Sequence, residues 1–220
     1  MQLCLRGLRS CCNVVRNSLR KAGMMTVKKV LLSSVVIGWF ASGCGFSKYM
    51  RPVSGPDPVG TPPNKARVVF VRPSDFQLAL VFTIIDERGY FLGDSTGSGR
   101  FSFFLDPGEH YFIAWTEGTE SVKATLAPGR TYYVEVRPTW GMWKGRASLW
   151  AVNRRSGLMK KIPSYLSETS VTTPDSAAGQ AHLNSLGKQL PNAVKKGIDT
   201  YNGYSPDEKA DATLMPEDGQ

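Results

Sequence analysis

Histidine is among the most chemically versatile residue types, and the chain contains two, His110 and His182. Asp106, Glu109 and His110 lie close together in the sequence and carry side chains that ligate metal ions. Adjacent residues of a strand point to opposite faces, however, so Glu109 and His110 are poorly placed to share an ion. We therefore interpret this segment as a solvated hairpin and predict no metal site. His182 has no cysteine or second histidine at ligand spacing.

Cys44 is the second chemically distinctive residue, and it follows an apolar run from Val30 to Phe40. The run is shorter than the roughly 20 residues of a transmembrane helix, and Lys28 and Lys29 precede it, as in a secretory signal peptide. Ala41-Ser42-Gly43-Cys44 resembles the lipobox of bacterial lipoproteins. The resemblance implies that Ala41, Ser42 and Gly43 are recognised by the signal peptidase, and that the Cys44 thiol carries a covalent diacylglycerol. The alternative is a plain signal peptide with an incidental cysteine.

The residues ahead of this signal form an unusually long leader. Signal peptides seldom have more than 20 residues before their charged start, and Met24-Met25 stands just before it. We interpret residues 1–23 as a non-native extension and residues 24–43 as the signal peptide, with translation starting at Met24 or Met25. A mitochondrial transit peptide is the alternative, because the segment is rich in Arg and Ser and has no acidic residue.

Removal of the leader changes what the composition implies. Residues 1–43 contain seven basic residues and no acidic residue, so without them the net charge of +9 falls to +2. The remaining chain has no basic excess, and we predict no nucleic-acid partner. Cys44 is then the only cysteine, which excludes a disulfide framework and agrees with acylation in an oxidising compartment.

Three regions are predicted after the leader. Residues 44–64 are dense in Gly, Pro and Ser, which favours a flexible tether. Residues 65–168 contain short apolar runs separated by turn signals, which is typical of a mainly β fold, and we predict a single antiparallel β-sandwich of about seven to eight strands. Residues 169–220 carry apolar residues at helical spacing, which predicts C-terminal amphipathic helices, kinked or divided at Pro191. Ser205-Pro206-Asp207-Glu208 predicts the start of a short helix.

Individual strands and turns can be assigned by their periods. Phe101, Phe103 and Leu105 share one face of a strand by the two-residue alternation. Asp106-Pro107-Gly108-Glu109 and Ala127-Pro128-Gly129-Arg130 are predicted tight turns, in which the glycine takes a positive φ. The glycine-rich stretch from Ser95 to Gly99 is predicted to connect two strands, and no helix follows it that would hold a phosphate.

The strand motifs also resemble a known group of proteins. The segments ARVVFVRPS, FLDPGEHYFIAW, LAPGRTYYVEV and ASLWAV are similar to those of uncharacterised bacterial lipoproteins with a domain related to carboxypeptidase regulatory and PEGA-type sandwiches. The resemblance covers roughly Lys65 to Leu166. It implies a fold and a location in the cell envelope, and no catalytic residue travels with it.

One loop offers a surface for a partner. Residues 137–146 contain Trp140, Met142 and Trp143 among basic residues, a composition suited to an exposed patch for a protein, a glycan or lipid. The favoured interpretation is that the two tryptophans close one end of the sandwich core. The favoured hypothesis is a non-catalytic binding or scaffolding lipoprotein. It would be bound to the lipid bilayer. The resemblance to Gram-negative lipoproteins, in which a residue other than Asp follows the cysteine, implies for Gly45 the outer membrane facing the periplasm. A carbohydrate- or peptidoglycan-binding protein using Trp140 and Trp143 is the first alternative. An envelope hydrolase is the second and less favoured.

Overall fold

The protein is mainly β. The computed structural model describes residues 47–55, 60–73, 76, 79–116, 118–139 and 145–220. Strands make up 41% of these residues, more than the 28% in helices. The strands are β1 (Met50–Pro52), β2 (Ala66–Arg72), β3 (Phe82–Asp86), β4 (Phe91–Ser95), β5 (Gly99–Leu105), β6 (Gly108–Trp115), β7 (Thr119–Leu126), β8 (Thr131–Thr139), β9 (Arg146–Ala151), β10 (Ser170–Pro174) and β11 (Thr213–Leu214). The helices are α1 (Ile162–Glu168), α2 (Ser176–Ser185), α3 (Gln189–Gly203) and α4 (Pro206–Asp211), with 3-10 turns at Leu158–Lys161 and Pro216–Asp218.

The strands form two mixed sheets. One has the order β1-β10-β5-β2-β8-β9, and the other β11-β7-β6-β3-β4. The prediction of purely antiparallel pairing is wrong, because β2 pairs in parallel with β8, β10 with β5 and β11 with β7. Parallel neighbours need long connections. The chain supplies them by building β3, β4, β6 and β7 between β2 and β8, and by passing through helices before β10 and β11. Of the eleven strands in the described residues, eight, β2 to β9, lie within residues 65–168, whereas β1 lies in the predicted linker and β10 and β11 in the predicted helical extension.

The main core is built from both sheets around β2. Every residue of β2 is buried, which suits a strand with neighbours on both sides. The Phe70 ring on β2 stacks on that of Phe101 with centroids 5.0 Å apart. It also meets the edge of Phe112, from the other sheet, at 5.3 Å. As predicted, Phe101 and Leu105 are buried in this core, and Phe103 packs partly against it.

A second apolar cluster covers the opposite face of β2 and β8. Val71 and Val152 pack there with Leu158, Ile162 and Tyr165. The last three belong to the 3-10 turn and α1, so this short helical segment closes the outer face of the sheet.

The C-terminal helices pack on the other sheet. On α3, the buried residues Ala193, Gly197 and Tyr201 recur at a spacing of four and define one face. A Cβ added at Gly197 would lie 2.6 Å from the Ile113 side chain, so the glycine permits the close approach of α3 to β6. None of the helices among the described residues is long and apolar enough to span a membrane.

Several local predictions are confirmed. The helical pattern is divided, since α2 ends at Ser185 and Pro191 lies in the first turn of α3. Ser205 caps α4 in a capping box with Glu208. Gly108 and Gly129 have φ values of 132° and 72°, as the two Pro-Gly turns require.

Candidate functional site

Most residues of the predicted sites lie outside the described residues. These are Cys44 with its recognition residues, and the tryptophan loop: Ala41, Ser42, Gly43, Cys44, Trp140, Met142 and Trp143. The lipidation site and the tryptophan patch therefore stay predictions.

The interpretation of the His110 segment as a solvated hairpin is wrong, because His110 is buried and the flanking strands β5 and β6 belong to different sheets. The residue is 8% exposed, and its Nε2 lies 2.9 Å from the carbonyl oxygen of Asp106. Its Nδ1 lies 3.3 Å from Glu87 Oε1, in an ion pair too poorly aligned for a regular hydrogen bond. Glu109 points the other way and pairs with Lys123 at 3.1 Å. No three His, Cys, Asp or Glu residues within the described ranges are grouped so that they could hold a metal ion.

The pair of His110 and Glu87 is coupled in its ionisation. Both ring nitrogens of His110 face oxygen atoms, which favours the doubly protonated ring. The interaction with Glu87, aided by the Asp106 carbonyl, outweighs burial and raises the pKa of His110 above 6.5. For Glu87, burial raises the pKa, but His110 and the backbone N–H of Tyr111 outweigh it, so its pKa lies below 4.5. The pair thus holds the β3–β4 turn against β6.

Residues Gly93 to Gly97 have the Gly-x-Ser-x-Gly spacing of a hydrolase nucleophile elbow. That motif needs a strand, a sharp turn and a following helix, which expose the serine. Here Ser95 is the last residue of β4 and only 4% exposed, and the chain turns directly into β5 at Gly99. The neighbouring Asp94 accepts a hydrogen bond from the Thr83 hydroxyl at 2.8 Å, and burial raises its pKa. The spacing therefore belongs to the connection between β4 and β5, which lie in different sheets. That Ser95 to Gly99 connects two strands is as predicted.

A cleft of about 420 Å³ lies beside His110 and is the candidate site. It is bounded by the end of β5, the β3–β4 turn and α2. Its lining combines aromatic, apolar and charged side chains: Arg88, Tyr90, Phe103, Phe104, Leu105, Asp106, His110 and Gln180. Tyr90 and Phe104 are 42% and 40% exposed, and among the aromatic residues that the structure describes only Phe76 is similarly exposed.

The turn that carries Arg88 and Tyr90 is fixed by Asp86. This carboxylate is fully buried and accepts the backbone N–H groups of Arg88 and Tyr90 at 2.9 and 2.7 Å. The Arg88 guanidinium donates to Asp86 Oδ2 at 2.8 Å, and this hydrogen bond raises the pKa of Arg88. Gln180 of α2 donates to the Gly89 carbonyl at 3.3 Å. One wall of the cleft is therefore held by main-chain and side-chain bonds together.

The opposite wall of the cleft is a sheet edge. Strand β10 pairs with β5 only at Gly99 and Arg100. Beyond Arg100, no other strand of the described ranges pairs with β5 on that side. The cleft touches Phe103, Phe104 and Leu105 in succession, although neighbouring side chains of a strand point to opposite faces. It must therefore run along the edge of β5.

The sequence contains a partial signal for this site. In the strand that places Phe101, Phe103 and Leu105 toward the core, Phe104 is the large apolar residue on the outward period. Nothing comparable marks Tyr90 or His110, because the neighbours that define their surroundings come from other strands.

Comparisons of the chain with protein-family models, with curated proteins and with solved structures found no significant match.

Proposed function

We propose that the protein is a bacterial cell-envelope lipoprotein, anchored through acyl chains on Cys44, that acts as a non-catalytic binding or scaffolding module. Its domain is a β-sandwich with helical additions, an assignment supported by the shared core in which Phe70 contacts both Phe101 and Phe112. The observation that carries the binding function is the cleft at the end of β5. Exposed aromatic side chains stand there on a strand and a turn that the fold holds rigidly.

The anchor would hold this domain close to the membrane. Ser47 donates to the buried Asp94, and the Tyr49 ring stacks on His182 with centroids 5.2 Å apart. Met50–Pro52 then pairs with β10. Only Gly45 and Phe46 separate Cys44 from this ordered start, a reach of about 11 Å at most. Within the predicted linker of residues 44–64, the described Met50–Pro52 thus forms part of a sheet.

The engagement of the histidines supports a non-catalytic role. His110 is bound by Glu87 and Asp106, and His182 packs on Tyr49. Ser95, the serine with elbow spacing, is buried at the end of β4. These residues serve to hold separate segments of the fold together.

The test of the anchor is acylation. We expect the full-length protein to incorporate radiolabelled palmitate and its intact mass to show two ester-linked chains, with each buried CH₂ contributing about 0.8 kcal/mol to membrane binding. Cys44→Ser should abolish both the label and the processing of the precursor. Ser54→Ala, at an exposed position after the recognition residues, is the control and should change neither. An unmodified Cys44 in a soluble protein would refute the proposed anchor.

The second control concerns the start of the chain. Deletion of residues 1–23 should leave export and acylation unchanged, because the signal peptide is proposed to begin at Met24 or Met25. Loss of export in this deletion would contradict the proposed start.

A further inference from the structure

The free edge of β5 exposes main-chain groups that no strand among the described residues pairs with. The carbonyl of Ser98 accepts from the backbone N–H of Ser170 at 2.9 Å, and that of Arg100 accepts from the Thr172 hydroxyl at 3.2 Å. Main-chain groups of a strand face the same side at every second residue. The N–H and C=O groups of Ser102 and Phe104 therefore face the side that β10 has left.

The pairing of β5 with β2 gives the same orientation for the main-chain groups of Phe104. The backbone N–H of Arg67 on β2 donates to the carbonyl oxygen of Arg130, the residue before β8, and so points away from β5. Arg67 is the residue opposite Phe104 in the β2–β5 register. Phe104 thus belongs to the pairs of this ladder that exchange no hydrogen bonds, and its main-chain groups point to the cleft.

From this geometry we propose that the end of β5, Ser102–Leu105, is a strand-addition site for an extended peptide segment of a partner protein. The inference rests on the proposed binding function and names the class of its ligand. An incoming strand would lie in the cleft in line with β10 and bond to Ser102 and Phe104, over an edge of about 13 Å. The free N–H and C=O groups of β5 recur at every second residue, and the main chain of an extended peptide presents its own groups at the same repeat.

The charges around the cleft indicate which peptide fits. Arg88 is paired with Asp86 at 2.8 Å, and Asp106 with Lys65 at 2.7 Å. Glu87 is paired with His110. Each charged group lining the cleft already has a partner of opposite sign within the protein, so an uncharged segment is favoured over an acidic or basic one.

The aromatic residues would contact the side chains of the segment. Tyr90 lies against Phe103 with ring centroids 6.1 Å apart, while Phe104 projects from the other face of β5. Successive side chains of an added strand also point to opposite faces. One set would therefore contact Tyr90 and the other Phe104, which favours apolar, β-branched or aromatic residues in the segment.

The test uses full-length protein and a library of blocked heptapeptides. One half of the library contains only Val, Thr, Ser, Tyr and Phe, and the other half also contains Lys and Glu. We expect binders to come from the uncharged half. Methylation of alternate backbone nitrogens in a binder should weaken binding about tenfold or more, because it removes two hydrogen bonds. Site-resolved hydrogen exchange should show that the binder slows exchange of the Ser102 and Phe104 amides.

A matched pair of variants tests the edge itself. Ser102→Pro removes a donor that faces the cleft and no donor that faces β2, so it should weaken binding about tenfold. Ser102→Ala should bind as the wild type does. If Ser102→Pro does not fold, the N-methylated peptides still test whether binding depends on main-chain hydrogen bonds.

Several results would overturn the inference. They are failure of every peptide to bind, equal binding of the N-methylated peptides, and concentration-dependent protection of Ser102 and Phe104 without peptide, which would identify a second copy as the occupant. A peptide that binds without protecting these two amides would also refute strand addition, yet it would leave the binding function intact. The acylation test is independent of all of these results.

Discussion

The two ends of β5 have different neighbours. At its start, Gly99 and Arg100 pair with β10, and the Arg100 guanidinium donates to the carbonyl of Leu166 at 2.8 Å and to the hydroxyl of Thr169 at 3.0 Å. At its other end, β5 borders an open cleft lined by exposed aromatic residues. One strand thus serves two purposes: its closed end stabilises the fold and its open end is available to a ligand.

The polar interactions near the closed end of β5 are buried, whereas those at its open end are exposed to solvent. Close to the closed end, the Tyr165 hydroxyl donates to Glu135 Oε2 at 2.7 Å beneath α1, and Arg137 donates to the same oxygen at 2.7 Å. Burial and Glu135 raise the pKa of Tyr165, so the phenol stays a donor. At the open end, Asp106 is 77% exposed and pairs with Lys65 at the surface. Side-chain substitutions should therefore cost more stability at the closed end.

The largest effect is expected for Arg100. Arg100→Met would leave the buried carbonyl groups at the end of α1 without this donor, and we expect the free energy of unfolding to fall by about 3 kcal/mol. Lys65→Met at the open end is the matched control. It removes only an exposed ion pair, and we expect a loss below about 1 kcal/mol. Urea denaturation measures both, and equal losses would remove the distinction between the two ends.

A smaller effect is expected for Tyr165. Tyr165→Phe removes the buried hydroxyl that donates to Glu135, which should lower the free energy of unfolding by about 1.5 kcal/mol. Tyr90→Phe removes a hydroxyl from an exposed ring in the cleft and should change stability by less than about 0.5 kcal/mol. Thermal and urea denaturation of the two variants would refute the comparison if Tyr90→Phe were the more damaging.

The smallest effect is a pH dependence at the cleft. The pKa of His110 is raised in the folded protein, so its contribution to stability is present below about pH 6.5 and is lost as the pH rises through the folded pKa. The pKa of Glu87 is lowered, so its contribution is lost as the pH falls through that lower value. The pair is therefore expected to stabilise the fold most between the two values.

Urea denaturation at several pH values checks this window. His110→Gln should abolish the loss of stability that the wild type shows as the pH rises above about 6.5. The control His182→Gln should retain it, because His182 lies away from Glu87 and stacks on Tyr49. A wild-type stability that rises through this range would contradict the assigned ion pair.

Local features of the fold can be predicted from the sequence, whereas pairing between distant segments cannot. Gly108 and Gly129 are recognisable because Pro-Gly turns impose their own φ values, and Ser205 because a capping box involves only neighbouring residues. Strands β1 and β10 are missed, because they are short and lack an alternating apolar pattern. They form by pairing with each other, although their partner residues are 120 or more positions apart in the sequence. The parallel pairing of β2 with β8 is equally non-local.

The candidate site was predictable only in part, for the same reason. Phe104 stands on the outward period of a predicted strand, so its exposure follows from the sequence. The burial of His110 depends on Glu87, which belongs to another turn of the chain. The free edge depends on where β10 leaves β5, after Arg100, and β10 comes from a distant part of the sequence.

The open end of β5 is tested most directly by hydrogen exchange of the full-length protein without any ligand. Resolved residue by residue, the amides of Ser102 and Phe104 should exchange about a hundredfold faster than those of Phe101 and Phe103, which bond to β2. This alternation would show that the edge is free and that the ladder on its other side is intact. Equal, strong protection of all four amides would mean that another segment already occupies the edge, and it would contradict the cleft as a binding site.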